Sequence, residues 1–368
     1  MNRYPLKLFA LALTATLAAC GGGGGGGGGG GTSLTTPVTI SATNFTDTAS
    51  LVARTLNVAD SPNFNEGFPA AVVHVAPLRG ISILNLARVQ MAQIAKVQPG
   101  ELRSAELPVG ATPVPSPTPI ACATSGTLTR TYTDANNDLD TLEDGNKLVI
   151  TYANCKFDLL QEANNCILPV PSQKLIGVTL DGIVETTIKG AATKTEFATE
   201  VVYRSLKVTN SANQTSTFNG SIQLSQTVAA PQFTVTVISG NPLQVTSGTV
   251  IEQLSSGVIK YDDNRQNCDP ASDNNAYDID AAATAGRVAA NNLGYVDFDV
   301  TANLKGDSDL TKGFPSSGKI NITGGGGTVM TIEAIGSDQA KVEFNNNGAP
   351  CVFTWDQLND GTKPPACP

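Results

Sequence analysis

The chain has 368 residues, with 23 lysine and arginine residues, 32 aspartate and glutamate residues, one histidine and seven cysteines. A body of this size buries about 70–75% of its unfolded surface on folding, so it can be stable alone. Its formal charge of −9, without a basic cluster, makes the chain a poor nucleic-acid binder, because phosphate contacts need lysine and arginine.

The first predicted element is a signal peptide over residues 1–19. Two basic side chains and no acid precede a run of 12 residues that is apolar apart from two threonines. This run is too short for a membrane span, which needs about 20 apolar residues. The run ends in Leu17-Ala18-Ala19, and together with the next residue, Cys20, these three resemble the lipobox of bacterial lipoproteins. The resemblance implies cleavage before Cys20 and lipidation of its sulfur and amine, with an ordinary secretory signal as the alternative.

Cleavage would remove two positive charges and leave 21 basic and 32 acidic side chains, a formal charge of −11. Anionic lipid head groups repel such a body, so we expect acyl chains on Cys20, and not a basic face, to hold it at the membrane. Gly21 stands where some bacterial lipoproteins carry the aspartate linked with inner-membrane retention. The resemblance therefore favours the outer membrane.

Residues 20–37 are predicted to be a lipidated cysteine and a flexible tether. Residues 21–31 are all glycine, and eleven such residues have a root-mean-square reach of roughly 20 Å. A phosphate-binding glycine loop needs a strand before it and a helix after it, and this run has neither.

Residues 38–107 contain the only helical patterns. A short helix is predicted over 47–58, capped by Asn44 or Thr46, and a longer amphipathic helix over 82–97. The polar face of the second helix is mostly amide and not basic, which favours packing on the body over lying on a membrane.

Residues 108–119 hold five prolines and predict an extended spacer, where we place a domain boundary. From residue 120 the sequence alternates apolar and polar residues, as in 147–152, 296–305 and 319–323. About thirteen such runs without helices between them predict antiparallel sheet. The predicted fold class is all-β: residues 120–368 form a long antiparallel meander, as a sandwich or incomplete barrel, with one or two short N-terminal helices.

A weak repeat runs through the β region. An apolar residue, a glycine and a later isoleucine or valine recur at Gly182, Gly220, Gly257 and Gly318, at intervals of 38, 37 and 61 residues. Glycines within strands mark bulges or bends, so the sheet is expected to curl there. The long last interval predicts that the polar stretch 262–292 is an inserted loop. The glycines 324–327 are predicted to form a loose hairpin loop.

Six cysteines follow the lipobox: Cys122, Cys155, Cys166, Cys268, Cys351 and Cys367. An even number in an exported chain predicts disulfides, and six cysteines allow 15 pairings. No pair has the C-x-x-C spacing of a zinc or redox site.

The acidic connection 134–146 is the segment that most suggests a metal. An irregular calcium loop would use Asp134, Asn136, Asp138 and Asp144. An EF-hand is excluded, because Leu139 and Gly145 occupy the places of its glycine and glutamate. Aspartate, asparagine and glycine are also ordinary turn residues, so a solvated hairpin loop without calcium is the favoured interpretation. No other cofactor is predicted.

The motifs around Cys122, in 126–129, in 143–155 and in 353–358 are similar to a group of uncharacterised bacterial envelope lipoproteins. The resemblance covers most of 120–358 and implies an all-β body with no known activity. It also implies a Cys122–Cys155 bridge. Cys351–Cys367 is the next pairing, and Cys166–Cys268 is then left. Trp355 is predicted to be a core residue of the last strand.

Catalysis finds little support in the sequence. His74 is the only histidine and has apolar neighbours, and no G-x-S-x-G motif occurs. We therefore predict a non-catalytic envelope lipoprotein, structural or binding, whose ligand or protein partner is unidentified. The alternatives are a carrier of an apolar ligand inside the curled sheet and, less favoured, a glycan hydrolase that uses paired carboxylates.

Overall fold

Antiparallel β-structure accounts for most of the described residues, as the period-two pattern predicts. The structure, a computed structural model, describes residues 34–56, 114–115, 119–122, 124–133, 135, 144–157, 178–190, 196–209, 213, 215–227, 232–237, 241–263, 277–279, 281–306, 315–336, 338–344, 350–365 and 367. All of them belong to the unit Gly31–Pro368.

Seventeen strand segments and two α-helices are described. The helices are α1 (Phe45–Leu56) and α2 (Trp355–Asp360), and a short 3₁₀ turn covers Gly325–Gly327. The strands are β1 (Val114–Pro115), β2 (Ile120–Ala121), β3 (Ser125–Thr133), β4 (Lys147–Phe157), β5 (Val178–Lys189), β6 (Glu196–Thr209), β7 (Thr215–Thr227), β8 (Gln232–Val237), β9 (Leu243–Ser247), β10 (Val250–Asp263), β11 (Tyr277–Ile279), β12 (Ala285–Ala290), β13 (Gly294–Gly306), β14 (Pro315–Thr323), β15 (Val329–Ala334), β16 (Gln339–Phe344) and β17 (Cys351–Thr354).

The strands form one antiparallel meander in chain order. Three positions in the sheet are each filled by two short segments: β1 and β2 beside β3, β8 and β9 between β7 and β10, and β11 and β12 between β10 and β13. The sheet therefore has fourteen strand positions. In the described part of the chain, β17 pairs with β16 and not with β1, β2 or β3, so the sheet is open. The predicted fold class is confirmed.

The four repeat glycines mark a line along which the sheet bends. Gly182, Gly220, Gly257 and Gly318 all have positive φ, and the ladders of their strands shift register beside them. A register shift of this kind is a β-bulge, which bends the strand and increases its twist. We call this line the crease. The repeat thus has the structural meaning that the sequence predicts.

In two of the repeats, the side chain of the residue before the glycine accepts a hydrogen bond from the bulge of the neighbouring strand. The backbone N–H of Ser205, which has a φ of 50°, donates to Oδ1 of Asn219 at 2.9 Å. The N–H of Asn154, with a φ of 47°, donates in the same way to Oδ1 of Asp181 at 3.4 Å. A side-chain acceptor therefore replaces the ladder bond that the bulge breaks.

Helix α1 is part of the core of the β body. It confirms the helix predicted over 47–58, shifted by two residues, with Asn44 immediately before its first residue. The Phe45 ring stacks on Phe344 at 5.1 Å between centroids, and at the other end Arg54 Nη2 lies 2.7 Å from Glu252 Oε1. These contacts place the two ends of the helix beside β16 and β10, and β12 also contacts the helix.

Trp355 is fully buried, as predicted, but it begins helix α2 and does not lie in a strand. Thr354 accepts a hydrogen bond from the Gln357 N–H, and the Gln357 side chain accepts one from the Thr354 N–H. This is a capping box, which ends the strand and starts the helix. Gly361 then closes the helix in a left-handed conformation.

Two other predictions need correction or extension. The stretch 262–292 is not only an inserted loop, because it contains the sheet strands β11 and β12. The small residues of β12 hide its alternation from the pattern. Within the proline-rich stretch, β1 is extended as predicted and also pairs with β3 at the sheet edge, where proline is tolerated. The helix predicted over 82–97 lies outside the described residues.

Candidate functional site

The chain that follows the tether is fastened to the sheet at its first described residues. The Val38 N–H donates to the Tyr295 carbonyl at 2.9 Å, and the Tyr295 N–H donates to the Thr36 carbonyl at 2.8 Å. This short parallel bridge extends the ladder of β13. On its other side, the Gly325 N–H donates to the Val38 carbonyl at 2.6 Å, and the Ile40 N–H donates to Thr328 Oγ1 at 3.1 Å. We call residues 36–40, with 294–295 and 324–328, the tether seat.

Two glycines leave the room that the tether seat needs. A Cβ on Gly294 would lie 2.5 Å from the Thr36 carbonyl oxygen, and Gly294 also has a φ of 108°. A Cβ on Gly324 would overlap the carbonyl oxygen of Val38. The glycine run 324–327 is therefore not the loose loop that was predicted, since its first two residues enclose the N-terminal chain.

The tether seat continues directly into helix α1. Oδ1 of Asn44 accepts from the Ser41 N–H at 2.8 Å, and Nδ2 of Asn44 donates to the Thr39 carbonyl at 3.0 Å. Val38 and Ile40 are buried beside the helix. The first described residues thus enter the core at once.

The lipidation residue Cys20 lies outside the described residues. So do three of the four residues of the predicted calcium loop: Asp134, Asn136 and Asp138. Asp144 is described, and its Oδ1 accepts a hydrogen bond from the Gly190 N–H at 2.8 Å. Asn146, two residues further on, is buried, and its Oδ1 accepts a hydrogen bond from the Ala135 N–H at 2.9 Å. One oxygen of Asp144 is therefore already used to join the β3–β4 connection to the β5–β6 turn.

Two of the three predicted disulfides are present. Cys122–Cys155 and Cys351–Cys367 each have a Cα–Cα distance of 5.5 Å. The first joins the segment before β3 to the bulge of β4, and the second ties the C-terminus to the edge strand β17. Cys166 and Cys268 lie outside the described residues, so their pairing stays a prediction.

Two tyrosines lie on the inner face of the sheet at the crease. In the strand register Tyr152 lies opposite Gly182, and Tyr203 lies opposite Gly220. Burial raises the pKa of Tyr152 to about 12 and raises the pKa of Tyr203 well above its ordinary value, with the nearby Tyr152 adding to the second shift. Both rings are therefore neutral phenols at physiological pH.

Two buried hydroxyls on this face have no hydrogen-bond partner within the described ranges. They are the Tyr203 hydroxyl and Thr199 Oγ1, both on β6, in residues that are at most 1% exposed. Leaving a buried polar group without a partner costs about 1–3 kcal/mol.

The outer face of the same strands carries ion pairs. The Glu185 carboxylate lies 2.7 Å from Arg204 Nε and 2.6 Å from Lys147 Nζ. The hydrogen bond from Arg204 has the largest effect on the pKa of Glu185 and lowers it. Burial opposes this shift, and the contacts with Lys147 lower the pKa further. These ion pairs join β4, β5 and β6 and contain no nucleophile, so we interpret them as contacts that stabilise the sheet.

No group of three or more histidine, cysteine, aspartate or glutamate side chains in the described ranges is arranged to hold a metal ion. No described helix is long and apolar enough to cross a bilayer. The chain matches no model of a known protein family, no curated protein and no solved structure.

Sequence reasoning missed the tether seat altogether. The signals were present as Gly294 after two asparagines and as the run 324–327, but both also read as ordinary turns. The seat joins segments that are more than 250 residues apart in the sequence. Local patterns carry no information on such a pairing.

Proposed function

We propose that this chain is a lipid-anchored protein of the bacterial cell envelope, held in the outer membrane by acyl chains on Cys20. We further propose that it is non-catalytic and has a structural or binding role. The observation that carries the proposal is the tetrapeptide Leu17-Ala18-Ala19-Cys20, placed between a short apolar run and the glycine tether.

Two features of the described body support this proposal. The first described residues are held at the tether seat, and only the predicted tether separates this point from Cys20 in the sequence. The bridges Cys122–Cys155 and Cys351–Cys367 suit an oxidising compartment outside the cytoplasm, where disulfides persist.

Replacement of the lipidated sulfur tests the proposal. Cells that produce the Cys20→Ser variant are labelled with radioactive fatty acid and fractionated. We expect loss of label and loss of sedimentation with the envelope, because no thioether can form. A variant that keeps both would contradict lipid attachment at this residue.

The matched control is Gly21→Asp, which leaves the cysteine intact. It should incorporate label like the wild type but move from the outer-membrane to the inner-membrane fraction. Unchanged fractionation of this variant would remove the basis for the outer-membrane assignment and leave lipidation itself untouched.

A second candidate function, a carrier of an apolar ligand, is favoured by the two unpartnered hydroxyls of Tyr203 and Thr199. An apolar molecule with one polar group could pair with them on the inner face, where the surrounding side chains are apolar. Native mass spectrometry of gently purified protein tests this function. We expect a co-purified small molecule whose amount falls in Tyr203→Phe, and its absence from the wild type would refute the carrier function.

A further inference from the structure

Arg130 places a positive charge on the inner face of the sheet. Leu128, two residues earlier on β3, is buried on this face, and the side chains of a strand alternate between its two faces. Arg130 is therefore on the same face, where its partner on β4, Ile150, is buried and apolar. Arg130 is exposed and forms no ion pair with a described residue. Within this part of the chain, its guanidinium has no counter-charge.

The edge of the sheet is interrupted at the same place. β1 pairs with residues 131–132 of β3, and β2 pairs with residues 127–128. Neither of these two segments pairs with Thr129 or Arg130. Arg130 therefore lies at a gap between the two edge strands.

Two leucines on the inner face of the neighbouring strands are not fully covered. Leu148 lies two residues before the buried Ile150 on β4, and Leu180 on β5 lies opposite the buried Cys155. Both leucines are half-buried and pack against the core. Because the removal of apolar surface from water is favourable, an apolar chain bound on these leucines is stabilised.

Two phenol hydroxyls lie deeper on the same face. Tyr152 is opposite Gly182 of β5, and Tyr203 is opposite Val184, two residues further along that strand. The two tyrosines therefore flank β5 from either side. Burial raises the pKa of Tyr152 to about 12, and the nearby charge of Arg130 opposes this shift. Arg130 and the two phenols thus form one polar group on an apolar face.

The Tyr203 hydroxyl is a hydrogen-bond donor that the described residues leave unused. It has no partner among them, and the residue is only 1% exposed. Burial raises the pKa of Tyr203 well above its ordinary value, so the O–H keeps its proton and can donate at physiological pH. An acceptor oxygen on a bound molecule would remove the cost of burying this donor without a partner.

We infer, on the basis of the carrier function proposed above, that the inner face around these residues binds an amphiphile with one oxyanion head group. We call Arg130, Tyr152 and Tyr203, with Leu148 and Leu180, the phenol site. The head group pairs with the Arg130 guanidinium and accepts a hydrogen bond from the Tyr203 hydroxyl. The apolar chain lies against the two half-buried leucines.

The charge and the donors of the phenol site select the head group. A guanidinium offers a planar pair of N–H donors that matches the oxygens of a carboxylate or a phosphate. A cationic head group would be repelled by Arg130, and a neutral one would leave the guanidinium without a counter-charge. An inward-pointing charge on an edge strand can also serve only to prevent pairing with another sheet, a role that predicts no ligand.

Equilibrium binding of labelled palmitate, hexadecanol and a soluble short-chain phosphatidylglycerol tests the inference. The protein is the full chain with Cys20→Ser, so that no acyl chain of its own competes. We expect palmitate or the phospholipid to bind about 10- to 100-fold more tightly than hexadecanol, because only an oxyanion pairs with Arg130. Tighter binding of palmitate identifies a carboxylate as the preferred head group, and tighter binding of the phospholipid identifies a phosphate.

Three variants locate the binding. Arg130→Gln should weaken binding of the anionic ligand by about 10- to 100-fold and leave that of hexadecanol unchanged. Tyr203→Phe should weaken it by about 5- to 10-fold without lowering the midpoint of urea unfolding, because the hydroxyl has no partner among the described residues. The matched control is Arg204→Gln, which removes an exposed arginine from the outer face and should bind like the wild type.

Equal affinity for all three probes, or binding that Arg130→Gln leaves unchanged, would overturn the inference. The same holds if Arg130→Gln alters only the oligomeric state, since Arg130 would then merely guard the sheet edge. If none of the probes binds, the inference fails, and native mass spectrometry then decides separately whether the carrier function fails with it. A co-purified molecule without an oxyanion would keep the carrier function and overturn the head-group assignment alone.

Discussion

The bend of the sheet at Gly220 leads to the sharpest test of the fold. Gly220 has a φ of 103°, and a Cβ there would overlap the Pro242 carbonyl oxygen and lie 3.0 Å from the Leu243 Cα. Both neighbours are backbone, so they cannot move aside as a flexible side chain would. The substitution Gly220→Ala should therefore destabilise the protein through strain and through overlap.

The size of the effect follows from these two contributions. A residue other than glycine in such a conformation costs of order 1–3 kcal/mol, and overpacking adds about 1–3 kcal/mol, so we expect a loss of about 2–6 kcal/mol. The matched control is Gly190→Ala, at a φ of 76° with open space where its Cβ would be. It should lose only about 1–2 kcal/mol, from the left-handed conformation alone.

Urea unfolding followed by fluorescence measures both losses. Trp355 is the only tryptophan and is fully buried, so its emission reports on the core. The midpoint of Gly220→Ala should fall well below that of Gly190→Ala, with an unchanged slope. Equal midpoints would refute the close backbone approach at the crease.

Three further predictions concern single contacts. Contacts with Arg204 and Lys147 lower the pKa of Glu185, so its charge stabilises the folded state above the ordinary glutamate value of about 4.3 and this contribution is lost as the pH falls through the lowered pKa. Glu185→Gln should therefore be less stable than wild type at pH 7, and the difference should shrink as the pH falls through the lowered pKa of Glu185. A difference in unfolding midpoint that does not change with pH would contradict this role. The double serine variant of Cys351 and Cys367 removes the bridge that closes a loop with a sequence separation of 16. Its free energy of unfolding in urea should fall by about 3 kcal/mol. An unchanged free energy of unfolding would mean that this bridge does not stabilise the body. Asp144→Asn keeps the acceptor for the Gly190 N–H and should be close to wild type, while Asp144→Ala should lose about 0.5–1.5 kcal/mol; a calcium-dependent rise in the wild-type melting temperature that Asp144→Asn removes would instead support a calcium loop.

The period-two runs were enough to predict the strands, because alternation with one buried face is a local property of a strand. β4, β13 and β14 cover the runs 147–152, 296–305 and 319–323 that the pattern marks. The crease could also be predicted, from the spaced glycines, because a bulge is a local feature that needs one residue with an unusual backbone conformation, here a positive φ. Helix α2 was missed although its capping box at Thr354 and Gln357 is a local signal.

The sequence by itself determined that the chain is all-β, where most strands run and where they bend. Those properties follow from alternation and from glycine, which neighbouring residues decide. Only the tertiary structure decided that residues 36–40 are seated between Gly294 and the run 324–327. This arrangement depends on backbone pairings between distant segments, whose register is set by the whole sheet.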